Sequence, residues 1–152
     1  YIYIKIINVY ENLEEMRLKY KDFLDSYNIY ISLKCSQNLV GYFDRNLVAS
    51  IIKTIISNAY QYTSDKIIIS ADIVNHYTQI SVLDNGPGYP HKMIFDGLPS
   101  TSKVNFGSGS TGLGLYFSSR VAQLHKSKDK KGYIKISNNT DSEGGIFSIY
   151  LP

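Results

Sequence analysis

The apolar positions of this chain follow two spacings, and together these spacings predict helices packed on a sheet. After Asp44, a good helix N-cap, apolar side chains recur every three or four residues and predict a helix that buries one face. The same spacing predicts a helix over about 13–26, opened by a capping box of Asn12 and Glu15, and a third helix over about 112–124. Alternating, isoleucine-rich runs predict strands at 29–33, 66–71, 79–83, 133–137 and 146–151.

This order of elements predicts the fold class, an α/β (α+β) two-layer sandwich. We expect a mixed, mostly antiparallel sheet of about five strands, with about three helices on one face. The strands at 66–71 and 79–83 are joined near Asn75-His76, and the last two strands are adjacent in sequence and predict an antiparallel hairpin. We interpret residues 1–11 as an N-terminal connecting segment and residues 12–152 as one domain.

Length and composition exclude several classes of protein. The 152 residues are 43% hydrophobic and 19% charged, which is typical of a globular domain. No apolar run approaches the roughly 20 residues that span a bilayer, and a single cysteine excludes an internal disulfide. The net charge of +3 does not indicate a nucleic-acid partner, and we interpret the lysines at 126, 128, 130 and 131 as a solvated loop. The first residue is Tyr1 rather than Met, which suggests a segment of a longer protein.

A glycine-rich stretch precedes the third predicted helix. Residues 107–112 match G-x-G-x-x-G, but the preceding residues 99–106 have the composition of a loop rather than the strand that a dinucleotide site requires. Leu113-Gly114 also stands where a phosphate loop needs Lys and Ser or Thr. Glycines that enter a helix do leave free N–H groups for phosphate oxygens. The residues alone therefore leave two interpretations open, a phosphate site and a flexible glycine-tolerant helix start.

A second glycine stretch, Asp84-Asn85-Gly86-Pro87-Gly88, directly follows a predicted strand. A carboxylate held at a strand end can accept a hydrogen bond from an exocyclic amine. An ordinary Asp-Asn-Gly turn is the alternative interpretation.

Asn58 lies on the helix that follows Asp44. Thr54, Asn58 and Tyr62 are four residues apart and share one side of that helix, beside its apolar face. An amide oxygen is a suitable ligand for Mg²⁺, which takes its other ligands from water and phosphates. The alternative is an Asn that hydrogen-bonds near the helix C-terminus.

These motifs, in this order, resemble the catalytic ATP-binding domain of sensor histidine kinases, within the GHKL ATPase superfamily. Residues 55–63 look like the N-box of that family, residues 84–88 like its G1 box and residues 109–115 like its G2 box. Phe95 is similar to the F-box aromatic, and the chain ends on Ile-Tyr-Leu-Pro, a familiar last strand. The resemblance covers about residues 12–152.

The resemblance implies a site for ATP and Mg²⁺. It implies that Asp84 holds the adenine amine, that Asn58 coordinates Mg²⁺ and that Tyr62 lines the pocket. The other implied nucleotide-site residues are Gly86 and Gly88 in the adenine pocket, Thr111, Gly112, Leu113 and Gly114 at the phosphates, and Lys103 in a mobile ATP lid of about residues 89–110. For Lys103, a solvated lysine stays an open alternative.

The chain departs from the family pattern at several positions. Thr54 replaces the first Asn of the N-box, Gln61 stands where a cation is frequent, and Leu98 replaces a second F-box aromatic. These departures leave open whether activity is weakened.

None of the three histidines is a credible phosphoacceptor. His76 and His91 fall in predicted loops, and His125 matches the family position that closes the last helix. The resemblance therefore implies a domain that presents Mg-ATP to a histidine on a separate dimerisation domain of the same protein.

The implied protein is a two-component sensor histidine kinase, with a response regulator as further partner. We expect this segment to be monomeric and cytoplasmic, either in a cytoplasmic protein or as the cytoplasmic part of a membrane-anchored sensor. Two alternatives share the fold: an anti-sigma-type serine kinase, and an interaction module with a degenerate ATP site.

Overall fold

The computed structural model describes the backbone of residues 1–95 and 112–152, and the side chains of residues 1–94 and 114–152. Its helices are α1 (Val9–Asp25), α2 (Arg45–Tyr62), α3 (His91–Phe95) and α4 (Gly112–Gln123). Its strands are β1 (Lys5–Asn8), β2 (Tyr30–Lys34), β3 (Val40–Phe43), β4 (Lys66–Val74), β5 (Tyr77–Asp84), β6 (Lys126–Ser127), β7 (Lys130–Lys131), β8 (Tyr133–Asn138) and β9 (Gly145–Leu151).

Five of these strands form one mixed sheet in the order β2-β4-β5-β9-β8. The β2–β4 pair is parallel, and the other three pairs are antiparallel. Helices α1, α2 and α4 pack against the same face of this sheet. The predicted fold class, its five strands and the hairpin of the last two strands are therefore confirmed.

The core lies between the helices and the inner face of the sheet. Alternate residues of the central strands face it because side chains along a strand point to opposite faces. Its fully buried side chains include Val9 and Leu13 on α1, Val48, Ile51, Ile52, Ile55 and Ile56 on α2, Leu115 on α4, and Ile67, Ile69, Ile80, Phe147, Ile149 and Leu151 on the sheet. The apolar residues of α2 thus recur every three or four positions because this face of the helix packs against the sheet.

The start of α1 corrects the predicted capping box. The side chain of Asn8, not Asn12, caps the helix by accepting a hydrogen bond from the N–H of Glu11. Asn12 lies inside the helix and is only 6% exposed, whereas Glu15 forms an ion pair with Arg45. The helix begins one turn earlier than predicted because buried Val9 extends its apolar face.

Several short elements were not predicted. Strand β1 pairs with β3, and their register joins Lys5 to Phe43, so each needs a partner that is distant in sequence. His91 begins the one-turn helix α3, so its placement in a loop was wrong. The lysines at 126–131, predicted as a loop, form the β6–β7 hairpin.

His125 connects the end of α4 to the start of α2. Its side chain is 1% exposed, and its Nε2 accepts the N–H of Asp44 over 3.1 Å. Its Nδ1 lies 3.2 Å from the carbonyl oxygen of Val121 and donates to it, which fixes a neutral imidazole with the proton on Nδ1. Asp44 in turn caps α2 by accepting the N–H groups of Asn46 and Leu47.

We expect the stability of this domain to fall as the pH drops below about 6.5, the ordinary pKa of histidine. Burial lowers the pKa of His125, so the unfolded chain binds a proton at a pH where the folded chain does not. The contribution of His125 is fully present above the unfolded pKa and is lost as the pH falls towards the folded pKa. Urea unfolding at several pH values measures this dependence.

The matched variants for this test are His125→Gln and His76→Asn, the second in the exposed β4–β5 turn. His125→Gln should flatten the dependence below pH 6.5, whereas His76→Asn should leave it as in the wild type. Equal pH dependence in all three proteins would contradict the assignment.

Candidate nucleotide-binding site

A cavity of about 280 Å³ opens between the C-terminal half of α2 and the segment that follows β5. Its lining residues are Asn58, Ala59, Tyr62, Asp84, Pro87, Gly88, Tyr89, Pro90 and Met93. The structure therefore brings together four of the residues that the sequence selected, namely Asn58, Tyr62, Asp84 and Gly88.

Asp84 is the last residue of β5, and its carboxylate is held by the backbone. Its Oδ1 accepts the N–H of Gly86 over 2.9 Å and the N–H of Gly145 over 3.3 Å. Among the described residues, none donates to its Oδ2. One oxygen thus fixes the side chain, and the other stays available to a ligand amine in the cavity.

Two glycines let the segment after Asp84 pass close to its neighbours. A Cβ on Gly86 would lie 2.1 Å from the carbonyl oxygen of Tyr62. Residues 84–88, called the G1 segment below, therefore contact the end of α2 directly. Gly88 has φ +87°, and a Cβ there would lie 2.7 Å from Oδ1 of Asn138. Both positions need glycine, the second also because L side chains rarely adopt that backbone conformation.

Asn85 ties the G1 segment to the loop that follows α2. Its Oδ1 accepts the hydroxyl of Thr63 and the N–H groups of Ser64, Asp65 and Lys66, over distances of 2.9–3.2 Å. Its Nδ2 donates to the carboxylate of Asp65. One amide side chain therefore fixes where α2 ends relative to where β5 ends.

Tyr89 forms the part of the cavity that lies next to Gly145. A Cβ on Gly145 would lie 2.8 Å from the Tyr89 ring, so the absence of a side chain makes room for the ring. Burial raises the pKa of Tyr89, and the Asp84 carboxylate raises it further. The Tyr89 hydroxyl therefore stays protonated at neutral pH.

Asn58 is half-buried on α2, and no described residue hydrogen-bonds its amide. The amide is therefore available to the cavity. One turn earlier, the hydroxyl of Thr54 donates to the carbonyl of Ser50, and its methyl group would lie 2.9 Å from a Cβ on Gly114. Thr54 thus packs α2 against α4, and Gln61 is exposed.

The remaining predicted residues belong to the glycine-rich stretch and its lid. Gly112 is the first residue of α4, and Gly114 lies beside Thr54. Lys103, Thr111 and Leu98 lie outside the described residues, as do the side chains of Leu113 and Phe95. Their roles stay predictions.

The sequence analysis missed Asn138 and the pair Gly144-Gly145. These residues come from the β8–β9 hairpin. Asn138 lies 49 residues from Tyr89 along the chain, and Gly145 lies 61 residues from Asp84. A Cβ on Gly144 would lie 1.8 Å from the carbonyl oxygen of Asp84, so this hairpin packs directly against the backbone of Asp84. The only sequence signal was a glycine pair immediately before the last strand.

The mixed sheet with helices on one face carries a cavity that is lined by a carboxylate at the end of a central strand and by an amide of α2. These features agree with the family that the sequence matches. The family model described as "Histidine kinase-, DNA gyrase B-, and HSP90-like ATPase" matches residues 43–152. The chain belongs to this family.

Relatives of known name are sensor proteins and sensory kinases. Sensor protein BceS of Halalkalibacterium halodurans is 34% identical over 84 residues, which cover 53% of this chain and 25% of BceS. The adaptive-response sensory kinase SasA of Crocosphaera subtropica is 28% identical over 146 residues, which cover 91% of this chain and 36% of SasA. The chain thus spans about a quarter to a third of these two relatives.

The fold is shared with solved catalytic domains. The catalytic domain of histidine kinase ThkA has a TM-score of 0.81 at 20% identity, covering 99% of this chain and 95% of that domain. ThkA in complex with the response regulator protein TrrA gives a TM-score of 0.76 at 17% identity, covering 99% of this chain and 42% of that kinase.

Proposed function

We propose that this chain is the ATP-binding catalytic domain of a two-component sensor histidine kinase. One observation carries the proposal: a single cavity is lined by the Asp84 carboxylate and by the Asn58 amide. Backbone N–H groups hold Oδ1 of Asp84, whereas no described residue hydrogen-bonds its Oδ2 or the Asn58 amide. Family membership assigns ATP as the nucleotide. Sensor proteins and kinases among the relatives support the signalling role.

Asp84 fits the recognition of adenine. The 6-amino group of adenine donates a hydrogen bond, and Oδ2 of Asp84 is an acceptor for which no described residue supplies a donor. Gly86 and Gly88 add no side chains to the segment beside it, and Tyr62 and Tyr89 offer aromatic surface to a base.

Asn58 fits a Mg²⁺ site, because Mg²⁺ accepts an amide oxygen and takes its other ligands from water and phosphate oxygens. A bound Mg²⁺ would neutralise phosphate charge, which is the main electrostatic demand of phosphoryl transfer. The chain itself then has to orient the nucleotide. Glycine-rich residues 109–115, which include Thr111, Gly112, Leu113 and Gly114, together with Lys103 are proposed for the phosphates.

We further propose that the phosphoacceptor histidine belongs to a separate dimerisation domain. His125 is buried, with both ring nitrogens engaged. His76 precedes β5 and Asp84 ends it, which puts them roughly 25 Å apart at the rise of an extended strand. Neither of these two histidines can reach a nucleotide in this cavity. His91 begins α3 next to the cavity-lining Pro90, so for this third histidine the proposal rests on the family to which the chain belongs and not on distance.

The proposed downstream partner is taken from a solved structure of similar fold. ThkA has been solved with the response regulator TrrA, and a response regulator is the proposed downstream partner here. Among the described residues, no helix combines the length and apolar character needed to cross a membrane. We propose a monomeric domain on the cytoplasmic side.

Isothermal titration calorimetry of the 152-residue chain with Mg-ATP tests this function. We expect saturable binding of one nucleotide per chain, with weaker binding of inosine triphosphate, which has a 6-oxo group in place of the amine. No saturable heat at millimolar Mg-ATP would contradict the proposal, and so would equal affinity for the two nucleotides.

Asn58→Ala tests the Mg²⁺ assignment. We expect wild-type protein to bind ATP more tightly with Mg²⁺ than with EDTA, and the variant to lose most of this difference, roughly 10-fold in Kd. Asn46→Ala, an exposed Asn on the first turn of α2, is the matched control and should keep it. An unchanged Mg²⁺ dependence in Asn58→Ala would show that the metal is held elsewhere.

A further inference from the structure

Asn138 holds the backbone of Tyr89 through both ends of its side-chain amide. Its Oδ1 accepts the N–H of Tyr89 over 2.7 Å, and its Nδ2 donates to the carbonyl of Tyr89 over 3.0 Å. The two bonds join the end of β8 to the segment after β5, 49 residues away along the chain. An amide is the side chain that can satisfy one donor and one acceptor at the same time.

The same residue is linked to Asp84 by a second path. Asn138 stands opposite Gly145 in the β8–β9 pair, and the N–H of Gly145 donates to Oδ1 of Asp84. Gly145 in turn lies against the Tyr89 ring. Asn138 therefore fixes the spacing between the ring that lines the cavity and the carboxylate that faces it.

Asn138 also restricts the conformations that the backbone of the G1 segment can adopt. Gly88 precedes Tyr89 and has φ +87°, with its Cα directed at the Asn138 amide so closely that a Cβ would lie 2.7 Å from Oδ1. Because glycine has many accessible conformations, the two glycines of this turn need an external contact to keep a single conformation. Among the described side chains, the Asn138 amide supplies such a contact to Tyr89.

We propose that Asn138 is a positioning residue for purine selection, which acts through Tyr89 and Gly145 to keep the Asp84 carboxylate at the distance that the adenine amine requires. The inference rests on the proposed function, since it names what sets the selectivity of the same site. Asn138 itself does not line the cavity, so its effect has to appear in the discrimination between bases and not only in overall affinity.

The test compares the affinities of ATP and inosine triphosphate for wild type, Asn138→Ala and Asn138→Ser. We expect Asn138→Ala to weaken ATP binding about 10-fold, because without the two bonds the nucleotide has to order the Tyr89 segment as it binds, and to weaken inosine triphosphate binding much less. The hydroxyl of Ser is an acceptor but ends one bond short of Oδ1, so Asn138→Ser should keep at most an intermediate ratio. Asn139→Ala, the neighbouring residue in the hairpin loop, is the matched control.

A double-mutant cycle isolates the path through Asp84. In an Asp84→Asn background, which has lost the carboxylate that prefers ATP, Asn138→Ala should lower the preference for ATP no further. Thermal unfolding of each variant shows, independently of nucleotide binding, whether the variant is folded.

The outcomes separate the two proposals. If the wild type itself does not distinguish the two nucleotides, the proposed function fails. If the wild type distinguishes them and Asn138→Ala does so equally, loses both affinities equally, or fails to fold together with Asn138→Ser, the positioning role is wrong and Asn138 is only structural.

Discussion

Asp84→Asn should abolish the preference for ATP and raise its Kd roughly 100-fold. The variant can still accept the N–H groups of Gly86 and Gly145 with its remaining oxygen, so the segment should keep its conformation. The group that faces the cavity then becomes a donor, and a donor cannot bind the 6-amino group of adenine. Binding is weakened because the charge-assisted bond between the carboxylate and the adenine amine is lost, and because the new NH₂ group and the amine are both left without an acceptor.

For inosine triphosphate, we expect the same substitution to have the opposite effect on affinity. The 6-oxo group of inosine accepts a hydrogen bond, so the new NH₂ group should favour inosine triphosphate over ATP in the variant. Calorimetry with both nucleotides measures this reversal.

Asp72→Asn supplies the control, because Asp72 is an exposed carboxylate that bonds the N–H of the next residue. It should bind ATP as the wild type does. If Asp84→Asn kept wild-type affinity and preference, adenine recognition by Asp84 would be wrong.

Gly144→Ala should be among the most destabilising single substitutions in the domain, lowering the free energy of unfolding by about 3 kcal/mol. Gly144 has φ +129°, which L side chains rarely adopt, and a Cβ would lie 1.8 Å from the carbonyl oxygen of Asp84. Backbone cannot rotate away as a flexible side chain would. The β8–β9 hairpin or the end of β5 therefore has to move.

Urea unfolding measures this loss, and Ser142→Ala, an exposed position in the same loop, is its control. Because the displaced carbonyl belongs to Asp84, ATP affinity should fall as well, under conditions where the variant is still folded. A loss of stability below about 1 kcal/mol would contradict the close packing of the hairpin behind Asp84.

The long, strongly patterned elements were predictable because their contacts impose a period on the sequence. Helix α2 buries one face on the sheet, so its apolar residues recur every three or four positions from its cap at Asp44. The central strands have buried apolar residues at every second position, namely Ile67 and Ile69 on β4 and Phe147, Ile149 and Leu151 on β9. Asn12 misled the prediction, since a polar residue buried inside α1 has the same local pattern as a cap.

The short elements carried no such signal. Strands β1 and β3 have four residues each and are defined by pairing with one another across more than 30 residues. The lysines of β6 and β7 are mostly exposed, and their charge pattern is that of a loop. Pairing between distant segments does not require a regular spacing of apolar residues in either segment.

The sequence by itself determined the chemistry of the candidate site: a carboxylate at Asp84, an amide at Asn58 and two glycine stretches in an order that resembles one family. These features are local, because a strand end, a helix face and a glycine turn each depend on residues that are close together in the sequence. Only the tertiary structure decided how the carboxylate is held. Gly145 fixes one oxygen of Asp84, Asn138 holds Tyr89, and Asn85 joins the ends of α2 and β5. Each is a hydrogen bond between residues at least 19 positions apart, and such a bond depends on the packing of whole strands.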